Sequence, residues 1–359
     1  MVGWAVLEIG FAVAPPGGIY VYDAEMGFRV RPHATWGVWH ANALGFNDRD
    51  HAEAKPPGVF RVLVLGDSFN WAGGPDGNYT HLLDRLLAET TAHDRVEVIN
   101  LGYPGTHPGE QLPVLRRYGM PYAPDLVILG VVVGNDFLEA QPWRRVIPFG
   151  GELTPIDLRR ESLRTLWGVP FSTRSHVLRF LTGRFTILRL RLAARARGED
   201  VATTGARLPD DVFYGLERER MRVVESAPSE VIVTGEANVF ASILTMQALA
   251  HAQGARLVVA AYPEPFQVDV GLREVVLRQA AFDPAGFDWE RPQRRLAEYC
   301  GVHDIDYTDL LPAFRAAHAA GTALYLQNEP HWNAAGQALA AAELAPIVRR
   351  AQVLATSPR

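Results

Sequence analysis

The sequence has little of what disulfide-bonded, thiol-dependent or nucleic-acid-binding proteins need. Cys300 is the only cysteine among 359 residues, so no disulfide can form within the chain and no thiolate metal site can be assembled. Cys300 ends an amphipathic pattern, and we expect it to be a small apolar core residue. The net charge is -5, and nucleic-acid binding normally needs a surplus of basic residues. We therefore expect no nucleic-acid partner and interpret the Arg-rich stretches Arg159–Arg164 and Arg184–Arg197 as solvated helix faces.

A hydrophobic run long enough to cross a bilayer is missing from the start of the chain. Residues Met1–Pro15 are mostly apolar, but a membrane-spanning helix needs about 20 residues, and a signal peptide begins with Lys or Arg. Two interpretations stay open. The segment is either the end of an N-terminal membrane anchor that starts upstream of Met1, or a buried helix.

Five short apolar runs alternate with amphipathic stretches along the chain. Strand–helix alternation predicts an α/β fold, a three-layer doubly wound parallel sheet of about five strands. In such sheets ligands bind outside the carboxyl ends of the strands, so the residues after each run are candidates for a site. The predicted strands are Val62–Leu65, Val96–Ile99, Leu126–Val133, Arg256–Ala261 and Ile305–Tyr307.

Two regions do not follow this alternation. Residues 1–58 contain the apolar start and a Gly-, Pro- and aromatic-rich stretch, which we expect to form an extended lobe. Residues 141–235 separate the third and fourth predicted strands and are too long for a plain crossover connection. We interpret 141–235 as an inserted helical cap, and 59–140 with 236–353 as the α/β core.

Three of the predicted strand ends carry residues suited to acyl-transfer chemistry. Ser68 follows the first strand, where its hydroxyl reaches the ligand edge and nearby N–H groups can face an oxyanion. Gly102 follows the second strand, where its N–H is a candidate oxyanion donor. Asn135 follows the third, and its side-chain amide is a further candidate donor. Each of these signals is weak by itself.

One histidine lies in a comparable setting near the C-terminus. His331 precedes a long Ala-rich helix for which Asn333 is a suitable N-cap. From this loop its imidazole can reach Ser68 as a general base. Glu329, two residues earlier, can hold the imidazole tautomer, the orienting role in a catalytic triad.

Taken together, the four segments GDSF, NLGYPG, GND and EPHWN resemble the SGNH hydrolase superfamily, also called GDSL esterases. The matching Ser, Gly, Asn and His are Ser68, Gly102, Asn135 and His331. The resemblance covers roughly residues 59–140 and 255–350, and adjacent stretches look like a bacterial branch that is anchored at the membrane and faces the periplasm.

The triad acid departs from the pattern of this family. The family usually has Asp three residues before the His, where this chain has Asn328. Some branches place the acid two residues before the His, where this chain has Glu329. We therefore assign Glu329 as the acid and keep Asn328 as the alternative orienting residue.

The resemblance implies a serine esterase that forms an acyl-enzyme and needs no metal or organic cofactor. It also implies a small-molecule or polysaccharide ester as substrate, with O-acetyl groups of carbohydrate as the expected acyl groups. An extracytoplasmic location, periplasmic and with membrane association through the N-terminus, is implied in the same way. Two alternatives stay open: an O-acetyltransferase acting on cell-envelope polysaccharide, and a catalytically inactive SGNH fold that binds carbohydrate.

Overall fold

A computed structural model of the protein describes residues 2–13, 18–88, 95–166, 169–171, 174–196 and 207–356. The chain divides into two compact units. The first, the sheet unit, comprises Asn47–Gln141 and Pro209–Arg359, and the second comprises Met1–Phe46 and Pro142–Leu208.

Five parallel strands form the centre of the sheet unit. Across the sheet their order is fifth, fourth, third, first, second. The predicted α/β fold is confirmed, and every predicted apolar run overlaps one strand. These runs are recognisable because strands covered on both faces carry almost no polar side chains. In chain order the strands are Val59–Leu65, Arg95–Asn100, Leu126–Val132, Arg256–Tyr262 and Asp306–Asp309.

The first and third strands lie side by side, with Leu65 opposite Leu129. The second strand lies outside the first, so the strand order reverses between the first and third strands. Parallel doubly wound sheets open a crevice at the carboxyl ends of the two strands that flank such a reversal. Ser68 and Asn135 follow these two strands.

Helices cover both faces of the sheet. Tyr79–Ala88 and Ala334–Thr356 pack on the face that carries Val62, Val64 and Ile128. Glu230–His251 and Arg291–Val302 pack on the other face. Further helices of the sheet unit are Gly74–Gly77, Pro108–Val114, Val133–Glu139, Asp210–Arg220, Pro265–Val268, Val270–Ala280 and Leu311–Ala319. The predicted core position of Cys300 is confirmed, because its thiol is buried and unpaired.

One described helix, Glu230–His251, has the length and apolar composition of a membrane span. Half of its apolar stretch is nevertheless buried inside the protein. That burial is typical of a helix that packs on a sheet, as this one does.

The second unit differs from the predicted helical cap. Besides the helices Val2–Val13 and His176–Ala196, its described part contains four antiparallel strand pairs. The strand pairs within residues 141–235 escaped prediction because their polar residues give no clean alternation. The pairs are Tyr20–Asp23 with Gly27–Val30, Thr35–Trp36 with Trp39–His40, Arg144–Phe149 with Glu152–Asp157, and Arg164–Leu166 with Val169–Phe171.

The predicted boundaries also need correction. The insertion was expected to span 141–235, but residues from Pro209 onward belong to the sheet unit, and so do residues 47–58 of the predicted N-terminal segment. Helix Asp210–Arg220 fell within the expected cap because the whole interval between the third and fourth predicted strands was interpreted as one insertion. The alternative of a buried helix at the N-terminus is wrong, because Trp4 and Ile9 in helix Val2–Val13 are about half exposed.

Gly235 provides a test of how closely helix Glu230–His251 packs against the segment that follows the third strand. A Cβ atom at Gly235 would lie 1.8 Å from the carbonyl oxygen of Phe137, whereas a Cβ at Gly215 in helix Asp210–Arg220 would meet nothing within 4 Å. We predict that Gly235→Ala lowers the free energy of unfolding by about 1–3 kcal/mol through overpacking. Gly215→Ala, the control, should raise it by about 0.5–1 kcal/mol. If the two substitutions changed the free energy of unfolding in urea equally, the close approach of Gly235 to Phe137 would be contradicted.

Candidate active site

Ser68 and His331 lie within hydrogen-bonding distance, as the sequence analysis expects. The distance from His331 Nε2 to Ser68 Oγ is 2.6 Å, although the residues are 263 positions apart in the chain. Ser68 begins a short 3₁₀ turn after the first strand, and His331 lies in the loop before helix Ala334–Thr356. A serine hydroxyl that donates to an imidazole is the arrangement that activates a serine nucleophile.

Glu329 contacts the other side of the imidazole. One carboxylate oxygen is hydrogen-bonded to His331 Nδ1, and the other accepts the backbone N–H of His331 at 2.9 Å. A carboxylate only accepts, so Nδ1 carries the proton and Nε2 is left as the acceptor for Ser68. Glu329 thus fixes both the position and the tautomer of the ring.

Burial and the Glu329 charge act on the imidazole in opposite directions. Burial disfavours imidazolium, but the Glu329 carboxylate outweighs it, and the pKa of His331 is raised above its usual 6.5. Burial likewise raises the pKa of Glu329, but the charge of His331 outweighs it and the net shift is downward. The pair therefore favours an ionised Glu329 that can stabilise imidazolium.

Aromatic packing and backbone hydrogen bonds hold the His331 loop. The Phe69 ring lies 5.0 Å from the His331 ring and 4.8 Å from the fully buried Trp332, measured between ring centroids. Asn333 Oδ1 accepts the N–H groups of Ala335 at 2.9 Å and Gly336 at 3.1 Å, which confirms the predicted helix N-cap. The imidazole is therefore presented by a rigid loop.

The turn that presents Ser68 is stabilised by two polar neighbours. The buried Asp67 carboxylate accepts the N–H of Phe69 at 3.0 Å, and burial raises the pKa of Asp67 to about 6. Asn70 Nδ2 donates to Asn100 Oδ1 at 2.8 Å and so ties this turn to the end of the second strand. Within the described ranges, no hydrogen bond occupies the backbone N–H of Ser68. That N–H is therefore available to a ligand, and its role as an oxyanion donor stays a prediction.

The expected role of Gly102 needs correction. Its N–H donates to Asn100 Oδ1 at 3.0 Å and is therefore already engaged. A Cβ atom on Gly102 would lie 2.1 Å from Cβ of Asn70. The glycine thus makes room for the Asn70 side chain, and not for a substrate as the sequence suggested.

Asn135 lies in the first turn of helix Val133–Glu139. Its amide oxygen accepts a long hydrogen bond from Arg220, with 3.4 Å between Nη2 and Oδ1. A guanidinium only donates, so this contact orients the amide and leaves its NH₂ group as the free end. In the part of the chain that the structure describes, that NH₂ group makes no hydrogen bond.

Behind Asn135, Arg220 belongs to a buried ionic cluster with Glu264 and Glu217. Arg220 Nη1 lies 3.0 Å from Glu264 Oε2, and Glu264 and Glu217 have no exposed surface. Neither carboxylate oxygen of Glu217 has a hydrogen-bond partner among the described residues. Burial first, and then the charge of Glu264, raise the pKa of Glu217 to about 8. At neutral pH Glu217 is thus largely protonated, which leaves Arg220 and Glu264 as the charged pair.

Asn328 is not brought to the imidazole. Its backbone lies in the left-handed region with φ 50°, a conformation that Asn tolerates better than most residues. Its side-chain amide donates to the carboxylate of Asp210. The arrangement therefore favours Glu329 over Asn328 as the orienting residue.

The cluster of Arg220, Glu264 and Glu217 was not predicted from the sequence. Arg220 and Glu217 belong to helix Asp210–Arg220, which falls inside the expected insertion. Glu264 comes just after the fourth strand, so inspecting every strand end would have found it. Gly134 leaves room for the Glu264 side chain, since a Cβ atom on Gly134 would lie 2.5 Å from Glu264 Cγ.

No protein-family model matches the chain, and no curated protein matches it significantly. Solved structures do match at low sequence identity. An acetyl xylan esterase is 13% identical, with 80% of this chain and 100% of that chain covered and a TM-score of 0.45. A GDSL-like lipase from Bacteroides thetaiotaomicron is 13% identical, with 84% and 93% covered and a TM-score of 0.41. A catalytic mutant of an acetylxylan esterase from Geobacillus stearothermophilus is 10% identical, with 83% and 96% covered and a TM-score of 0.43. At these identities the similarity concerns the arrangement of helices and strands alone.

Substitutions in the buried ionic cluster separate its contribution to stability from its effect on Asn135. Arg220→Met leaves Glu264 buried without its partner and should cost about 3–5 kcal/mol in urea unfolding. The double variant Arg220→Met with Glu264→Met removes both charges and should recover most of that loss. Its kcat should stay below wild type, because nothing then orients the Asn135 amide.

The control for these variants is Arg256→Met, which breaks an exposed ion pair with Asp306 and should cost less than about 1 kcal/mol. A stable Arg220→Met variant would contradict the proposed pairing. Full kcat in the double variant would contradict the orienting effect on Asn135.

The pH dependence of the ester hydrolysis that the sequence analysis leads us to expect tests the coupling between Glu329 and His331. Only neutral imidazole accepts a proton, so kcat/KM should fall as the pH drops below the raised pKa of His331. Glu329→Gln removes the charge that raises this pKa, so the acid limb should move to lower pH. The maximal rate should also fall by about two to four orders of magnitude. An acid limb that stays in place would show that another group controls it.

Proposed function

We propose that the protein is a serine esterase of the SGNH type that works through an acyl-enzyme. The observation that carries this proposal is the continuous hydrogen-bonded chain from Glu329 through His331 to Ser68. It supports an enzyme over an inactive binding module, because a carbohydrate-binding surface does not need a serine hydroxyl aligned with an oriented imidazole.

In the first step, Ser68 Oγ attacks the carbonyl carbon of an ester. The Oγ proton passes to His331 Nε2, and the Glu329 carboxylate stabilises the imidazolium that forms. The new O–C bond converts the carbonyl into a tetrahedral intermediate with a negatively charged oxygen.

Two donors suit that oxyanion: the backbone N–H of Ser68 and the NH₂ group of Asn135. Neither donates a hydrogen bond among the described residues, and both belong to segments that follow the neighbouring first and third strands. Arg220 holds the amide oxygen, so the amide does not have to reorient as charge develops. Gly102 is left out, because its N–H donates to Asn100.

The intermediate collapses when the bond to the alcohol oxygen breaks and the imidazolium returns its proton to that oxygen. Ser68 then carries the acyl group. Water attacks this acyl-enzyme while His331 takes one of its protons, and the carboxylic acid leaves as Ser68 regains its hydrogen. The cycle uses one water for each ester.

For the substrate we propose short acyl groups, in particular O-acetyl groups on carbohydrate, on the strength of the motif resemblance. On the same basis we propose that the protein works outside the cytoplasm, in the periplasm.

Hydrolysis of p-nitrophenyl acetate tests the proposed function. Ser68→Ala should reduce kcat/KM to the background rate, because no other hydroxyl contacts His331 Nε2 within the described structure. Asn135→Ala should lower kcat by about a hundred- to a thousandfold through loss of one oxyanion donor. Asn328→Gly, a control that keeps the left-handed backbone accessible and removes an amide that contacts Asp210, should stay close to wild type. Full turnover by Ser68→Ala would refute the proposed nucleophile, and equal losses for the two Asn variants would refute the proposed oxyanion donor.

A further inference from the structure

Two helices of the second unit lie against each other. The rings of Phe11 in helix Val2–Val13 and Phe180 in helix His176–Ala196 are 4.8 Å apart between centroids. The Glu8 carboxylate accepts the backbone N–H of His176 at 2.8 Å. The first helix thus caps the N-terminus of the second, where a carboxylate is favoured.

The longer helix carries an apolar stripe on its outer side, formed by Leu178, Leu181, Phe185, Leu188 and Leu192. The spacing of three and four residues places these side chains on one face of the helix. Each of them is 52–62% exposed. A globular protein normally turns such a face toward its core.

The inner side of the same helix is already used. Arg179, on the side away from the stripe, donates from Nε to Thr154 Oγ1 at 3.0 Å. A Cβ atom on Gly183 would lie 2.8 Å from Cγ of Glu152, so the backbone there approaches strand Glu152–Asp157 closely. The apolar stripe is therefore additional to the face that packs.

The exposed apolar surface is concentrated on these two helices. Among the residues that the structure describes, nineteen large apolar side chains are exposed, and ten of them belong to the two helices. The shorter helix contributes Trp4, Val6, Leu7, Ile9 and Val13. Exposed apolar side chains concentrated in this way are typical of a surface that binds a partner or a membrane.

The charge around the stripe favours an anionic partner. Helix His176–Ala196 contains five arginines and no acidic residue. By helical geometry, the exposed Arg184 and Arg195 lie along one side of the stripe and the exposed Arg189 along the other. Arginines there can reach outward to anionic groups while the stripe is buried. In a second copy of the helix like charges would meet, with no acid on either helix to pair with them.

We propose that the apolar stripe and its flanking arginines dock on the surface of a lipid bilayer that contains anionic headgroups. The helix lies in the plane of the interface, with the stripe below the headgroups and the guanidinium groups among them. Trp4 of the neighbouring helix is also exposed, and Trp is enriched at membrane interfaces. This inference is independent of the proposed esterase activity.

Co-sedimentation of the full chain with vesicles tests this proposal. The wild type should bind vesicles of phosphatidylcholine mixed with phosphatidylglycerol much more tightly than vesicles of phosphatidylcholine alone. Leu181→Ser with Phe185→Ser should weaken binding by at least about tenfold for each buried side chain lost. Arg184→Gln with Arg189→Gln should weaken it by about fivefold for each charge, and only on the anionic vesicles.

The matched control is Val270→Ser with Val302→Ser, which removes two exposed apolar side chains from the sheet unit and should bind as the wild type does. Circular dichroism and urea unfolding of each variant would show that it is still folded. Wild-type binding by the Leu181/Phe185 variant would overturn the proposal. So would the absence of vesicle binding together with a dimer in solution that those two substitutions abolish, because a second copy would then cover the stripe.

Discussion

A 2.6 Å contact between a serine hydroxyl and an imidazole nitrogen joins the beginning and the end of the sheet unit. Neither segment is fixed by this contact alone. The Ser68 turn is held by Asp67 and by the Asn70–Asn100 hydrogen bond, and the His331 loop is held by Trp332 and the Asn333 cap. Two segments that are rigid before a substrate arrives reduce the entropic cost of reaching the reactive geometry.

The buried Arg220–Glu264 pair extends the same arrangement to Asn135, the proposed oxyanion donor. Burying two charges costs free energy that their attraction only partly returns, so such a pair is weak evidence for stability. Its position suggests a different benefit. A guanidinium on the Asn135 oxygen fixes which end of the amide is free, and Glu217 stays close to neutral because burial raises its pKa to about 8. The buried pair then lowers the stability of the protein but holds the Asn135 amide in one orientation before a substrate binds.

Much of the sheet unit is predictable from the sequence, for a physical reason. Strands buried on both faces need uninterrupted apolar runs such as Leu126–Val132, and parallel topology brings the ends of these runs to one edge. That is enough to place Ser68 and Asn135. His331 follows no strand of the sheet, and it was assigned from its loop before the last helix and from the motif resemblance, with Glu329 two residues earlier. Polar groups that pair inside the protein are harder to foresee. The N–H of Gly102 donates to the Asn100 side chain. Arg220 belongs to a helix with many charged residues, and nothing near it in the sequence shows that its guanidinium pairs with Glu264, 44 residues further along the chain.

Reaction with a fluorophosphonate probe, followed by mass spectrometry of the labelled peptide, tests the central claim most directly. The account predicts one adduct, on Ser68, that forms rapidly in the wild type and very slowly in His331→Ala. A wild-type protein that stays unlabelled, or that carries the adduct on another residue, would contradict the claim that His331 activates the Ser68 hydroxyl.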